Sequence, residues 1–385
     1  MARSDGPAQG PRLSQPQRAA GAAATPDDPG REPPFLDLDA LEARAREVLP
    51  ADVFDYYAGG AGTETTLAEA PAAWRSWRLR PHVLRGVSAV RLDTTLLGTE
   101  VATPIGVAPW AYQALAHPDG ELGTARGAAA AGALMTVSTS ANTALADVAA
   151  ATPAGPRWFQ LYRLHSPAHT DDLARRAGQA GYRALVLTVD LPVLGRRHRD
   201  LRHDFALPAG LPLANHPPVN GDRPPLPAAE TPTWAFADIG RYAELSGLPV
   251  VVKGVLRGDD AQRCVAAGAA AVWVSTHGGR QADPAIASAE ALPEVVAAVG
   301  EEVEVYADGG VRTGADALTA LALGARAVFL GRPTAWGLAT GGTDGVARVI
   351  SGLSEELAHT MALCGLDDVR AVPRDTVVRA PWTSR

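Results

Sequence analysis

From Pro104 onward, short β-rich apolar runs alternate with Ala-rich stretches of helical spacing, the rhythm of repeated βα units. Eight runs can be counted: Ile105 to Ala108, Leu134 to Ser138, Trp158 to Tyr162, Ala184 to Asp190, Val250 to Lys253, Ala271 to His277, Val303 to Asp308 and Ala327 to Gly331. A helical stretch can follow each, so the pattern predicts an α/β fold, a closed (β/α)8 TIM barrel rather than an open doubly wound sheet.

Two helices are expected ahead of the barrel. Asp37 has the place of an N-cap for a helix carrying Leu38, Leu41, Ala45 and Val48 on one face, ended by Pro50. A second short helix runs into Tyr56 and Tyr57 and stops at Gly59-Gly60. A last helix, from about Gly345, carries Val349, Leu353, Leu357 and Met361.

The pattern also sets the domain limits. Residues 1–34 are rich in Ala, Pro, Gly, Gln and Arg without periodicity, and are read as a disordered arm. Residues 35–372 form the barrel domain, and 373–385 are expected to be a flexible tail. The Pro- and Ala-rich stretch Leu207 to Pro232 breaks the rhythm between the fourth and fifth strands and reads as a long, mobile active-site loop.

Composition narrows the class. With 385 residues, 46% of them hydrophobic and 20% charged, the chain has ample material for a large core. A net charge of -7 gives no reason to expect nucleic acid or an anionic membrane as partner. Two cysteines, Cys264 and Cys364, are too few for a disulfide framework or a zinc site, and read as core thiols. No run approaches the roughly 18 apolar residues of a membrane helix, and the N-terminus lacks a signal-peptide core, so a cytoplasmic protein is expected.

Candidate chemistry lies where polar residues end the apolar runs, because barrel active sites sit at the C-terminal ends of the strands. Gln160 and Tyr162 end the third run, Thr188 and Asp190 the fourth, Lys253 the fifth, and Ser275, Thr276 and His277 the sixth. Each alone is compatible with a structural role; their convergence on one rim points to catalysis. His277 and Asp190 suit a base and its orienting carboxylate. Arg280, beyond two glycines, can turn toward the same pocket and bind a carboxylate, and Arg197 is a second such arm unless it is only a solvated charge in a basic loop. The segments Asp308-Gly309-Gly310-Val311-Arg312 and Gly331-Arg332-Pro333, after the seventh and eighth strands, have the form and place of a phosphate site. None of this names a redox cofactor.

Several blocks in order resemble the FMN-dependent 2-hydroxy acid oxidase and dehydrogenase family, which includes glycolate oxidase, lactate oxidase and mandelate dehydrogenase. They include Asp55-Tyr56-Tyr57-Ala58, His117-Pro118-Asp119-Gly120-Glu121, Gln160-Leu161-Tyr162, Thr188-Val189-Asp190, Leu194-Gly195-Arg196-Arg197, Val252-Lys253-Gly254 and His277-Gly278-Gly279-Arg280-Gln281. The resemblance runs from about Leu36 to about Val369 and is nearest to bacterial hydroxymandelate oxidases in wording.

It implies that His277, oriented by Asp190, takes a proton from the substrate. Arg197 and Arg280 then clamp the carboxylate with help from Tyr56, and Tyr162 hydrogen-bonds near the reacting carbon. Lys253 sits beside the flavin ring and stabilises its reduced form. Pro109, Ala111, Ser138, Gln160 and Thr188 contact the ring, with Ser275 alongside. Asp308, Gly310, Arg312, Gly331 and Arg332 form the phosphate site. The family also suggests a homotetramer, with O2 as the expected electron acceptor.

Where the family usually has Asn before the catalytic His, this chain has Thr276; Ser140 replaces an aromatic residue, Ala282 a Leu, and Trp110 a smaller residue. The loss of an aromatic at Ser140 predicts a pocket for a bulky or aromatic substrate such as mandelate, unless Trp110 or Tyr112 refills the space. Other readings are the same chemistry delivering electrons to a carrier, a flavin-free barrel using Lys253 as a Schiff base, and a non-catalytic flavin-binding regulator.

Overall fold

A computed structural model describes residues 35–216 and 233–380. All eight expected strands form, as β1 (Ile105–Val107), β2 (Met135–Val137), β3 (Arg157–Leu161), β4 (Leu185–Thr188), β5 (Val250–Val255), β6 (Ala271–Val274), β7 (Glu304–Asp308) and β8 (Ala327–Leu330). They pair in parallel and in chain order, and β8 closes on β1 through Phe329 opposite Gly106. The architecture is a (β/α)8 barrel.

The strands are buried on both faces, which is why they read as continuous apolar runs. Trp158, Trp273, Tyr306 and Phe329 fill the barrel interior, with neighbouring ring centroids 4.0 to 6.5 Å apart. Gly106 makes room for them: a Cβ there would lie 2.6 Å from the Phe329 ring. A hairpin of Thr94–Leu96 and Thr99–Val101 is tied to the strands where the Leu97 N–H donates to Glu304, which also accepts from the Tyr306 hydroxyl. With the interior packed, only the C-terminal rim is left for chemistry.

The N-terminal helices follow the pattern. Asp37 caps the helix Leu38–Val48 by accepting from the Ala40 N–H at 2.9 Å, and Ala51–Ala58 follows Pro50. The last helix differs: helical backbone begins at Arg332, and Gly342 (φ 55°, ψ −136°) breaks it before the stretch expected from Gly345. Its first turns, from Pro333 to Leu338, are buried throughout and so carry no one-sided stripe to betray them.

Two expectations are corrected. Residues 373–380 are not a flexible tail, because Val377–Arg379 pairs antiparallel with Trp77–Leu79 and Thr376 and Val377 are buried, while the remainder of the expected tail, 381–385, lies outside the described residues. The stretch from Leu207 is not loose at its start either: the Asn142 Nδ2 donates to the Pro212 carbonyl at 2.8 Å, and the Asn215 carboxamide accepts from the Leu145 N–H at 2.9 Å. The rest of that stretch, residues 217–232, and the N-terminal arm, 1–34, lie outside the described residues. Cys264 and Cys364 are buried and unpaired, as expected. No helix among the described residues is long and apolar enough to cross a membrane.

Burial of one valine-sized side chain contributes about 1.5 to 3 kcal/mol. Truncation after Val372 is therefore expected to lower the unfolding free energy in urea by at least that amount, whereas a loose tail leaves it unchanged.

Candidate active site

The strand ends and the turns beyond them enclose one cavity of about 460 Å³, lined by Tyr56, Ser138, Tyr162, Thr188, Lys253 and His277 on one side and by the two glycine turns on the other. Its centre is a chain of short polar contacts. The Lys253 ammonium donates to Ser275 Oγ at 2.6 Å and pairs with Asp308 Oδ2 at 2.7 Å, while Ser275 donates to Asp308 Oδ1 at 2.6 Å. The His277 N–H in turn donates to Ser275 Oγ at 3.0 Å, fixing the backbone just beyond β6.

His277 adopts φ 56°, a left-handed conformation uncommon outside glycine, and Gly278 and Gly279 continue it at 65° and 75°. This turn aims the imidazole across the rim, where Nδ1 meets Asp190 Oδ1 at 3.0 Å. Burial pushes the Asp190 carboxyl up, but the charges and hydrogen bond supplied by His277 and Lys253 outweigh it and hold the group below the usual carboxylate range. An imidazole and an ionised carboxylate are thus brought together from the ends of two strands.

Five arginines line the same cavity: Arg196, Arg197, Arg280, Arg312 and Arg332. Arg280 donates to the carbonyls of Tyr56 and Gly59 at 2.6 and 2.8 Å and lies 4.9 Å from the Tyr56 ring centre. Arg332 donates to the carbonyls of Tyr57, Gly278 and Gly59. Burial, reinforced by the Arg197 charge, pushes Arg280 down to about 10; burial with Arg280 and Arg312 pushes Arg332 down to about 9. The Arg197 side chain is 11% exposed and pairs with Asp200 at 3.9 Å. Such mutual repulsion is relieved by bound anions.

Tyr162 also lines the cavity; burial and the nearby Asp190 charge push its phenol above the usual tyrosine range, so it remains a donor. Tyr56 stacks on Phe205, with centroids 4.6 Å apart and planes 12° from parallel. Ser140 is buried at the wall beside Tyr112, and Trp110 packs edge-on against Tyr57. Pro109, Ala111, Gly310, Arg312, Gly331 and Arg332 all line the cavity, whereas Asp190, Gln160 and Ser275 stand behind its wall, bonded to His277, Ser138 and Lys253.

Asp308 needs qualification. Its carboxylate is engaged by Lys253 and would repel a phosphate, so it suits hydroxyl donors and not the phosphate site expected of it. Sequence reasoning missed Phe205, Leu201 and Asp200, which the short helix His198–Arg202 and the residues after it bring to the cavity. Only the three-residue spacing of Asp200 from Arg197 hinted at that helix.

The residues fit a flavin mononucleotide. The buried Thr188 Oγ1 and Gln160 Nε2 have no hydrogen-bond partner, as expected of groups that await a polar ring. Space at Gly331 is open, and the glycine turn at Gly309 and Gly310 has positive φ at both residues, which exposes backbone N–H groups.

Comparison with known proteins agrees. The model of the FMN-dependent dehydrogenase family matches residues 45–379. An L-lactate oxidase of Nostoc sp. is 46% identical over 88% of this chain and 96% of its own length. A 4-hydroxymandelate oxidase of Amycolatopsis orientalis is 43% identical over 88% and 97%. A solved mandelate oxidase bound to (S)-2-phenylpropionate superposes with a TM-score of 0.82 at 43% identity, covering 88% of this chain and 97% of that one. Another mandelate oxidase structure, a variant with a TM-score of 0.80 and the same identity, covering 87% of this chain and 97% of that one, carries an FMN adduct.

The chain belongs to the FMN-dependent dehydrogenase family, and is an FMN-dependent enzyme that oxidises 2-hydroxy acids to 2-oxo acids. This sets aside the flavin-free Schiff-base reading and the non-catalytic one.

A charge-assisted hydrogen bond contributes about 1.5 to 3 kcal/mol. The apoprotein is therefore expected to bind riboflavin at least about 10-fold more weakly than FMN in a flavin-fluorescence titration. Equal affinity would contradict the placement of the phosphate at Arg312 and Arg332.

Proposed function

We propose that the protein oxidises a bulky or aromatic L-2-hydroxy acid, mandelate-like, to its 2-oxo acid with O2 as the final electron acceptor. The observation that carries the reading is the 3.0 Å contact between His277 Nδ1 and Asp190 Oδ1. It leaves Nε2 as the free nitrogen, in a cavity flanked by Arg197, Arg280 and Tyr162.

Arg197 and Arg280 bind the substrate carboxylate, with Tyr56 alongside, and so fix which face of the substrate His277 meets. His277 takes a proton from the substrate at Nε2, and the Asp190 carboxylate stabilises the imidazolium that results. The Tyr162 phenol donates a hydrogen bond near the reacting carbon. FMN, when bound, accepts the electron pair lost by the substrate, and the Lys253 charge favours the negative charge that this brings to the ring. Gln160, Thr188, Ser138, Pro109, Ala111 and Ser275 would hold the ring; Gly310, Arg312, Gly331 and Arg332 would hold the phosphate.

The oxidase reading is supported by the names of the relatives. Substrate bulk is supported by Ser140, where the family resemblance calls for an aromatic, and by mandelate oxidases among the similar structures. Trp110 is engaged with Tyr57; Tyr112 borders Ser140, so it narrows that wall. A tetrameric assembly and a cytoplasmic location complete the proposal, resting on the family resemblance and on composition.

A positioned base contributes at least about 100-fold to rate. His277→Ala is expected to retain FMN but to be reduced by substrate at least that much more slowly in anaerobic stopped flow; wild-type kinetics would remove His277 from the mechanism.

Burying a phenyl-sized group favours it over glycolate by about 10- to 150-fold. In steady-state assays the wild type is expected to prefer L-mandelate over L-lactate and glycolate in kcat/KM, and Ser140→Trp to reverse that order. A preference for glycolate, or an unchanged ranking in the variant, would overturn the substrate assignment.

A further inference from the structure

The two arginines assigned to the substrate carboxylate are held in different ways. Arg280 is tied down by its own guanidinium, which donates to the Tyr56 and Gly59 carbonyls. Arg197 has no comparable tether: its Nε is buried without a hydrogen-bond partner among the described residues, and Asp200 stands 3.9 Å away. Its position is therefore inherited from the backbone, where it is the N-cap of the short helix His198–Arg202.

A helix of a single turn does not hold itself. This one buries none of its residues, and Leu201 is 63% exposed, so packing does not fix it either. The segment is attached at its two ends, where the Arg196 carbonyl accepts from the Gly62 N–H at 2.8 Å and Phe205 stacks on Tyr56. Between those ends Arg199 supplies the tie. Its guanidinium forks, with one nitrogen 3.1 Å from Asp55 Oδ1 and the other 2.6 Å from Glu64 Oε2, and His203 Nε2 meets Asp55 Oδ2 at 2.9 Å. Burial pushes the Asp55 and Glu64 carboxyls up, but Arg199, joined by His203 at Asp55 and by the Gly60 N–H at Glu64, outweighs it and holds both below the usual carboxylate range.

Both carboxylates belong to the frame that sets Arg280. Asp55 precedes Tyr56 in the helix Ala51–Ala58. Glu64 Oε1 accepts from the Gly60 N–H at 3.0 Å, in the turn whose Gly59 carbonyl receives Arg280 and Arg332. Glu64 takes φ 64°, a left-handed conformation uncommon outside glycine, and from there it faces both partners. Gly59 leaves the Arg199 stem its place, because a Cβ there would lie 3.2 Å from Arg199 Cδ. The fork thus joins the element that carries Arg197 to the element that anchors Arg280.

We propose that Arg199, bridging Asp55 and Glu64, is a positioning residue that sets Arg197 against Arg280 at the spacing one substrate carboxylate requires. It touches no substrate itself. The carboxylate keeps its charge through the reaction, so loosening its clamp weakens ground and transition states alike and raises KM with little change in kcat. The proposal rests on the reading of Arg197 and Arg280 as the carboxylate clamp, and adds what holds the half that has no tether of its own.

Anaerobic stopped flow with L-mandelate and with L-lactate gives the substrate dissociation constant and the limiting rate of flavin reduction separately. Arg199→Met is expected to raise that constant roughly 10-fold and to change the limiting rate by less than about 3-fold, the loss of one positioned binding group. Arg199→Lys, which keeps the charge but reaches one carboxylate at a time, is expected to fall between that variant and wild type. In an Arg197→Met background, Arg199→Met is expected to have no further effect, because it acts through Arg197. The same cycle is read at equilibrium from binding of the 2-oxo acid products, whose carboxylate is unchanged, by the shift in flavin absorbance. A wild-type dissociation constant in Arg199→Met, a loss confined to the limiting rate, or an undiminished further loss in the Arg197→Met background overturns the proposal. A wild-type constant in Arg197→Met removes Arg197 from carboxylate binding, and the positioning role with it. Bound FMN per subunit checks folding; if Arg199→Met does not fold, Glu64→Gln, which keeps the side-chain shape, is expected to raise the constant at least about 3-fold, and no rise overturns the proposal.

Discussion

The hydrogen bond between the buried Asp190 carboxylate and His277 is the constraint on which the rest of the site depends. Keeping a carboxylate ionised away from water is costly unless charge and hydrogen bonds compensate. Here Lys253 and His277 do so from neighbouring strands, and the backbone is shaped to let them. Gly254, at φ 106° beside an irregularity in β5, leaves the carboxylate its space; a Cβ there would lie 2.5 Å from Asp190 Cγ. The left-handed turn at His277 is the second accommodation, and it is held by Ser275, which also serves Lys253 and Asp308.

Around this pair the cavity is strongly cationic. Burial and neighbouring guanidinium charges push Arg280 and Arg332 down, and backbone carbonyls from the turn after Ala51–Ala58 satisfy their donors. Two anionic groups, a cofactor phosphate and a substrate carboxylate, answer that excess charge. On the proposed reading the phosphate lies at the glycine turns, the carboxylate at Arg197 and Arg280, and the base between them. The N-terminal helices therefore belong to the site, because they carry the carbonyls and Tyr56.

Much of this was legible in the sequence because its signals are local. Each barrel strand is a short apolar run, and of the polar residues that end one, Tyr162, Thr188, Lys253 and His277 line the cavity at the rim. The parts that were not legible depend on pairings distant in sequence. The strand Val377–Arg379 finds its partner some 300 residues away at Trp77–Leu79 and reads alone as a polar tail. The anchoring of residues 212–216 on the turn after β2 uses asparagine side chains, which in sequence signal only a loop. Asp308 was misassigned because its position beside the phosphate turn says nothing of its charge partner, and Lys253 claims it.

The most direct test of the account is the rate of flavin reduction by a 2-hydroxy acid in Asp190→Asn, followed anaerobically as loss of the oxidised-flavin absorbance. An amide of the same shape keeps the cavity and the FMN but removes the charge that orients and stabilises His277. The account predicts bound FMN and a reduction rate at least about 100-fold below wild type. Reduction at the wild-type rate would contradict it.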